Sequence, residues 1–268
     1  MNDSREAFDF DFNDEGLRGR TVIVAGGTGG LGSAVAALLA RDGAAIVLGY
    51  RRDRARAERL KGYLSRYGRA VELVEGDICD GATREALVEA AARTGAEVYG
   101  LVCLVGSPAR VRFDEADPAD LDASMQVNYF GPILLARDFA ECLRREKTSG
   151  SIVLFSTMQA VDLFSSSVNY AAPKAALIHA ARILAKQWGG PDGIRVNVVA
   201  PGVNRAGMAL ASIRSGKYDP FLDRGVVARF GRAEDVAKVV RLLVEPDNYV
   251  TGQVITVDGG LTLRKDLK

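Results

Sequence analysis

The sequence predicts an α/β domain in which helices cover both faces of a seven-stranded parallel sheet. Short apolar runs rich in Val and Ile alternate with longer segments of helical periodicity along the 268 residues. Most of the short runs are apolar at nearly every position, which is typical of strands buried on both faces of a parallel sheet. Because no linker rich in Pro or Ser divides the chain, we expect one domain over residues 16–268.

The predicted strands and helices alternate from one end of this domain to the other. The predicted strands cover residues 21–25, 45–49, 70–75, 98–105, 151–155, 195–199 and 254–257. The predicted helices cover residues 31–41, 54–67, 84–93, 121–145, 168–188 and 234–244. Because crossovers between parallel strands are right-handed, this alternation leaves few topologies besides a doubly wound sheet.

The composition excludes several other classes of protein. Lys and Arg together number 35 and Asp and Glu 34, and this net charge of +1 argues against a dedicated nucleic-acid binder. No apolar run approaches the roughly 18 residues of a membrane span, and residues 1–15 are acidic, without the apolar region of a secretory signal. We expect a cytoplasmic protein that binds no nucleic acid and no membrane. Residues 1–15 form either a mobile N-terminal tail or a short strand that pairs elsewhere.

The cysteines predict neither disulfides nor a metal centre. Cys79, Cys103 and Cys142 share no short spacing, and no CxxC pair suggests zinc. We therefore expect free thiols in a reducing compartment and no metal site.

A glycine-rich loop joins the first predicted strand to the first predicted helix. In TVIVAGGTGGLGSAVAALLA, Gly26, Gly30 and Gly32 form GxxxGxG, an overlapping GxGxxG is present, and Thr28 and Leu31 lie between the glycines. Without side chains, the backbone can approach a pyrophosphate, and the following helix directs free N–H groups and its positive dipole end at it. The strand and helix around the loop predict a Rossmann-type dinucleotide site. A tight strand–helix turn without a ligand is the structural alternative.

The residues after the second strand indicate which dinucleotide binds. NAD-binding folds place an acidic residue there to hold the ribose 2′-OH, but this strand runs into Arg51 and Arg52. Two guanidinium groups would attract a 2′-phosphate through forked, charge-assisted hydrogen bonds, which favours NADP(H) over NAD(H). Asp53 is better placed to cap the second helix than to bind ribose. The alternative for both arginines is a solvated basic helix start.

A tyrosine and a lysine share one face of the fifth predicted helix. Tyr170 and Lys174 are four residues apart in SVNYAAPKAAL. A phenol with a pKa near 10 is a poor acid–base catalyst at neutral pH, and a lysine ammonium one turn away would lower that pKa. Because Pro173 is tolerated only in the first turns, the helix should begin near Tyr170.

These motifs together resemble the short-chain dehydrogenase/reductase family over residues 17–260. Asp77 follows the third strand, Asn128 lies in QVNYFG, GSIVLFST precedes the tyrosine, and Pro201 and Gly202 follow the sixth strand. YVTGQVITVDGG is similar to the last strand of the family. The greatest likeness is to the 3-oxoacyl-acyl-carrier-protein reductases.

The resemblance implies hydride transfer between NADP(H) and a carbonyl or secondary alcohol. Tyr170 would give its proton to the developing alkoxide, while Lys174 lowers the pKa of Tyr170 and binds the ribose. Asn128 would hold a water molecule in a proton relay to Lys174. Thr157 stands thirteen residues before the tyrosine, at the place of the family's catalytic serine. Ser156 is adjacent, but neighbouring residues on a strand point to opposite faces.

The resemblance also implies a cofactor site and a substrate lid. The lid is expected around residues 205–229. The substrate is expected to be a small molecule or an acyl thioester with a reactive carbonyl, and the assembly a homotetramer. The implied cofactor-binding residues are Gly26, Thr28, Gly30, Leu31, Gly32, Arg51, Arg52, Asp77, Ile78, Gly106, Tyr170, Lys174, Pro201, Gly202 and Val203.

The sequence departs from the family at three places. Ala25 replaces the usual threonine, Cys103 and Leu104 replace the two asparagines of NNAG, and Ala206 stands where a hydroxyl residue is common. These changes leave two alternatives to a reductase: a non-catalytic dinucleotide sensor or scaffold, and an epimerase or dehydratase. The retained tyrosine and lysine speak against a sensor, and the short C-terminal region leaves little room for an epimerase's substrate domain.

Overall fold

The computed structural model describes residues 16–108, 111–165 and 167–266 and contains a seven-stranded parallel sheet. The predicted tail, residues 1–15, lies outside this part of the chain. The strand order is β3-β2-β1-β4-β5-β6-β7, which confirms the predicted α/β doubly wound fold. The strands are β1 (Arg20–Ala25), β2 (Ala45–Tyr50), β3 (Val71–Glu75), β4 (Glu97–Cys103), β5 (Gly150–Phe155), β6 (Ile194–Pro201) and β7 (Val254–Val257).

The helices occupy the predicted segments with shifted ends, and the short helix α10 (Leu261–Arg264) was not predicted. The predicted helix 121–145 is interrupted by a π-helical turn at Gln126–Phe130, helix 54–67 ends in a 3-10 turn, and two short helices lie inside the predicted lid. They are α1 (Gly30–Arg41), α2 (Arg54–Leu64), α3 (Gly81–Arg93), α4 (Pro118–Met125), α5 (Gly131–Glu146), α6 (Val168–Asp192), α7 (Leu210–Arg214), α8 (Asp219–Asp223), α9 (Ala233–Val244) and α10 (Leu261–Arg264).

Helices on both faces explain why the strands are apolar at almost every position. In β1, Ile23 and Ala25 pack with α3, α5 and α6, whereas Val22 and Val24 pack with α1 and α9. Most residues of the central strands thus reach one of two cores, and period-two alternation is lost. This coverage by helices on both faces of the sheet explains the continuous apolar runs from which the strands were predicted.

The strand order reverses next to β1, and this reversal positions the site. The chain adds β2 and β3 on one side of β1, then crosses over to place β4 on the other side. At such a switch point, the loops after the two strands diverge and open a crevice at the carboxyl edge of the sheet.

The segment after β6 forms a small core of its own at this edge. Buried Met158 from the loop after β5 packs with Val203, Val227 and Phe230. Phe221 and other half-buried side chains of α7 and α8 join the cluster. The segment predicted as a lid is therefore anchored against the loop that carries Thr157.

The described part of the chain carries no sign of a membrane span or metal centre. None of its helices is both long and apolar enough to cross a bilayer. None of its His, Cys, Asp and Glu side chains gather in a group of three that could hold a metal. The three cysteines are free thiols, although Cys79 is only half-buried.

A glycine substitution in β5 tests the packing of this strand against its neighbours, and one in α2 serves as its control. A Cβ at Gly150 would lie 2.6 Å from the Tyr99 carbonyl oxygen and 2.5 Å from a Leu143 methyl carbon. We expect Gly150→Ala to lower the free energy of unfolding by about 1–3 kcal/mol. Gly62 lies within exposed α2 with nothing within 4 Å of its added Cβ, and Gly62→Ala should raise the stability by about 0.5–1 kcal/mol. Urea unfolding midpoints measure both changes, and equal effects would contradict the packing argument.

Candidate active site

The glycine loop exposes the amino end of α1 at the switch point. Gly26 has φ +81, a conformation that favours glycine, and α1 begins after Gly29 with no side-chain hydrogen bond capping it. A Cβ at Gly32 would clash with the Gly26 carbonyl oxygen, so Gly32 lets α1 pack directly on the loop. Half-buried Leu31 anchors the first turn to the core, and Thr28 is half-buried in the loop.

This loop fits a dinucleotide pyrophosphate. The uncapped helix end offers free N–H groups and positive potential to an anion. The lid, however, lies directly on it, because a Cβ at Gly30 would clash with the main-chain nitrogen of Gly207. Gly30 thus serves close contact with the lid as well as the predicted approach to a phosphate.

Two exposed arginines follow β2, as predicted, and one of them is already engaged. The Arg51 guanidinium lies 3.0 Å from the Asp77 carboxylate, while Arg52 is exposed. The Asp53 carboxylate accepts a hydrogen bond from the Arg56 main-chain N–H at 2.9 Å, which confirms that Asp53 caps α2. Two exposed guanidinium groups thus follow the carboxyl end of β2.

Asp77 is held in the loop between β3 and α3, where the resemblance predicts a contact with the adenine of the cofactor. Burial acts to raise the pKa of Asp77, but hydrogen bonds from the Cys79 N–H and from Arg51 outweigh it and hold the pKa below its usual value. Ile78 is buried beside it in the core. Asp77 therefore stays ionised and pairs with Arg51.

Asn128 and Lys174 both lie beside Gly106, although 46 positions separate them in the chain. A Cβ at Gly106 would lie 3.0 Å from the Asn128 Oδ1 and 3.2 Å from the Lys174 Nζ. Asn128 lies in the π-helical turn and is fully buried; it donates to the Ser107 carbonyl and accepts from the Ser107 N–H, both at 3.0 Å. The π turn, which the periodicity did not predict, aims this side chain inward.

Lys174 is buried and bonded to main-chain carbonyls. Its Nζ donates to the Phe155 carbonyl at 2.8 Å and to the Val105 carbonyl at 3.3 Å. Burial lowers the pKa of Lys174 to about 8. Its ammonium thus ties α6 to the carboxyl ends of β4 and β5 and becomes easy to deprotonate near neutral pH.

Tyr170 lies beside the hydroxyl of Thr157. Burial raises the pKa of Tyr170 to about 12, a hydrogen bond with Thr157 acts against this rise, and the nearby phenol of Tyr218 adds to it. This differs from the expectation that Lys174 lowers the pKa, because the ammonium is turned toward backbone carbonyls. Ser156 instead donates to the Lys174 carbonyl at 3.0 Å, so the two adjacent hydroxyls do point in different directions.

Pro201, Gly202 and Val203 follow β6 at the same edge of the sheet. The Gly202 N–H donates to the Val257 carbonyl at 3.0 Å, and a Cβ at Gly202 would lie 2.5 Å from the Asp258 Cβ. Val203 is buried in the lid core. The structure thus gives Gly202 a packing role besides the predicted cofactor contact.

Sequence reasoning missed Tyr218, the lid aromatic residue near Tyr170, and Phe230 beside it. Tyr218 stacks on Phe221 with ring centroids 6.3 Å apart and meets Phe230 edge-on at 6.4 Å. The only signal in the sequence was the presence of three aromatic residues in a segment otherwise marked by glycine and proline.

Comparison with known proteins agrees with this arrangement. The family described as enoyl-(acyl carrier protein) reductase matches residues 25–262. A 2-(S)-hydroxypropyl-CoM dehydrogenase of Xanthobacter autotrophicus is 32% identical, covering 92% of this chain and 98% of its own length. Acetoacetyl-CoA reductase of Synechocystis is also 32% identical, over 91% of this chain and 97% of the relative.

Solved structures show the same similarity. A short-chain type dehydrogenase/reductase from Mycobacterium ulcerans superposes with a TM-score of 0.85 at 27% identity, covering 92% of this chain and 91% of its own. Levodione reductase gives a TM-score of 0.83 at 26% identity, over 92% of this chain and 99% of the other. With its glycine loop, its tyrosine and its lysine on the expected elements, the chain belongs to the short-chain dehydrogenase/reductase family and is an NAD(P)-dependent oxidoreductase.

Proposed function

We propose that the protein reduces the ketone of a 3-oxoacyl thioester, or of a similar small carbonyl compound, with NADPH. The observation that carries the proposal is the convergence of Thr157, Tyr170, Lys174 and Asn128 beside a glycine loop with an uncapped helix end. These side chains come from three separate stretches of the chain and meet at the switch point, where ligands of doubly wound sheets bind.

The side chains divide the proton chemistry among them. When bound, NADPH supplies a hydride to the carbonyl carbon. The Thr157 hydroxyl donates a hydrogen bond to the carbonyl oxygen and orients it, and Tyr170 transfers its phenolic proton to the same oxygen as negative charge develops there. The products are the secondary alcohol and the oxidised cofactor, with the phenolate left on Tyr170.

The raised pKa of Tyr170 suits reduction. With a pKa of about 12, the phenol is fully protonated at neutral pH and ready to act as an acid. The developing alkoxide is a far stronger base than the phenolate, so the proton moves downhill. The Lys174 ammonium, with a pKa of about 8, stands one helical turn away to restore the proton, and Asn128 holds the relay beyond it.

The lid favours a substrate with an apolar part and a second polar group. The half-buried rings of Tyr218 and Phe221 pack on the buried Phe230 and offer apolar surface, and the Tyr218 phenol stands near Tyr170. A 3-oxoacyl thioester has an acyl chain for such a wall and a second carbonyl two bonds from the reacting one. The similarity to an acetoacetyl-CoA reductase supports this substrate class.

The preference for NADPH rests on Arg51 and Arg52. Both are more than a third exposed after β2, where an acidic residue would otherwise hold the 2′-hydroxyl. A 2′-phosphate would gain forked hydrogen bonds to either guanidinium. The homotetramer and the cytoplasmic location stay predictions from the sequence.

Replacement of Tyr170 by Phe tests the proposed acid. We expect kcat to fall by roughly 10²–10⁴-fold with acetoacetyl thioesters and NADPH, because the ring is kept and only the transferable proton is removed. Tyr63→Phe, which alters an exposed phenol on α2, is the matched control and should retain full turnover. Absorbance of NADPH at steady state measures both variants. Undiminished turnover in Tyr170→Phe would refute the assigned role.

A double variant tests the cofactor preference. Arg51→Ala with Arg52→Ala should raise the KM for NADPH by about 10- to 100-fold and that for NADH by less than about threefold, since only NADPH carries the 2′-phosphate. Arg59→Ala removes one exposed charge from the same helix region and serves as the control. The KM values for both cofactors are measured in parallel. Equal increases of the KM for NADPH and for NADH would contradict the proposal that the arginines bind the 2′-phosphate.

A further inference from the structure

We infer that Ser124 is a positioning residue that locks the Asn128 side chain and the start of the catalytic helix α6 to each other. Its hydroxyl accepts a hydrogen bond from the Asn128 Nδ2 at 3.1 Å and donates one to the Asn169 main-chain carbonyl. Ser124 lies on α4 and is buried. This inference rests on the proposed carbonyl reduction, because it concerns how the groups for that reaction are held.

The acceptor on α6 is a carbonyl that its own helix cannot satisfy. Pro173 is the sixth residue of α6 and has no N–H, so it cannot donate to the Asn169 carbonyl one turn earlier. A buried carbonyl without a donor costs free energy comparable to a lost hydrogen bond. The Ser124 hydroxyl supplies the missing donor from a different helix.

The two hydrogen bonds place Ser124 between the catalytic groups. Asn169 immediately precedes Tyr170, and Pro173 immediately precedes Lys174. Asn128 meets Lys174 above Gly106. A shift of α6 relative to the π turn would therefore separate Asn128 from Lys174 and move Tyr170 relative to Thr157, and the bridging hydroxyl resists this shift.

The surroundings of Ser124 allow a conservative variant. Ser124 and Asn169 line a cavity of about 190 Å³. Threonine at position 124 can therefore keep the hydroxyl in place, whereas alanine removes it. Ser151 offers a matched control at the opposite end of the sheet, since its buried hydroxyl also donates to a helix carbonyl, that of Leu243, at 2.9 Å.

The test compares steady-state kinetics of Ser124→Ala, Ser124→Thr and Ser151→Ala with the same thioester and NADPH. We expect Ser124→Ala to lower kcat by roughly tenfold. The KM values should stay within about twofold of the wild-type values. The NADPH dissociation constant, measured by cofactor fluorescence, should also change by less than about twofold. Ser124→Thr should restore kcat. Ser151→Ala should lower the unfolding midpoint in urea without lowering kcat.

A double variant separates the two hydrogen bonds. Ser124→Ala with Pro173→Ala gives the Asn169 carbonyl an N–H from its own helix, so the urea midpoint should recover while kcat stays low because Asn128 still lacks its hydrogen bond to residue 124. Unchanged kcat in Ser124→Ala, or a kcat loss that follows the urea midpoint across all variants, would overturn the positioning role. Absence of turnover in the wild-type protein with any carbonyl and either cofactor would overturn the proposed function instead.

Discussion

The burial of the Lys174 ammonium is the constraint on which the rest of the site depends. A charge so far from water is tolerated only where polar groups replace its hydration, and here the carbonyls of Phe155 and Val105 do so. Phe155 is the last residue of β5, and Val105 follows the end of β4 by two residues. Their carbonyls therefore lie at the carboxyl edge of the sheet, where they can accept hydrogen bonds from a side chain. The lysine therefore has to lie where the two strands end, and it holds α6 across them.

The same edge collects the other polar groups for related reasons. Gly106 has no side chain, which leaves the space where Asn128 and Lys174 approach each other. The π turn rotates Asn128 inward from a helix that would otherwise direct it elsewhere. The missing side chain at Gly106 and the π turn at Asn128 thus both bring polar groups to the carboxyl edge of the sheet.

The lid and the glycine loop are coupled in this structure. Residues 206 and 207 lie on Gly30, and the lid core holds Met158, which follows Thr157 directly. The lid segment therefore contacts the glycine loop on one side and packs against the loop that carries Thr157 on the other.

The sequence alone determined the fold class, the approximate strands and the glycine loop, because these depend on local patterns: continuous apolar runs, helical periodicity and glycines at a strand–helix junction. It also predicted the α2 cap at Asp53, which the structure confirms, and it proposed Tyr170, Lys174 and Thr157 as site residues from short spacings and the family resemblance. Only the tertiary structure decided the π turn at Asn128, the pairing of Arg51 with Asp77 and the contact of the lid with Gly30. These features arise where segments distant in the chain meet, and no local pattern records which groups will then face each other. The raised pKa of Tyr170 has the same origin, because the burial of its ring and the orientation of Lys174 are properties of the packed molecule.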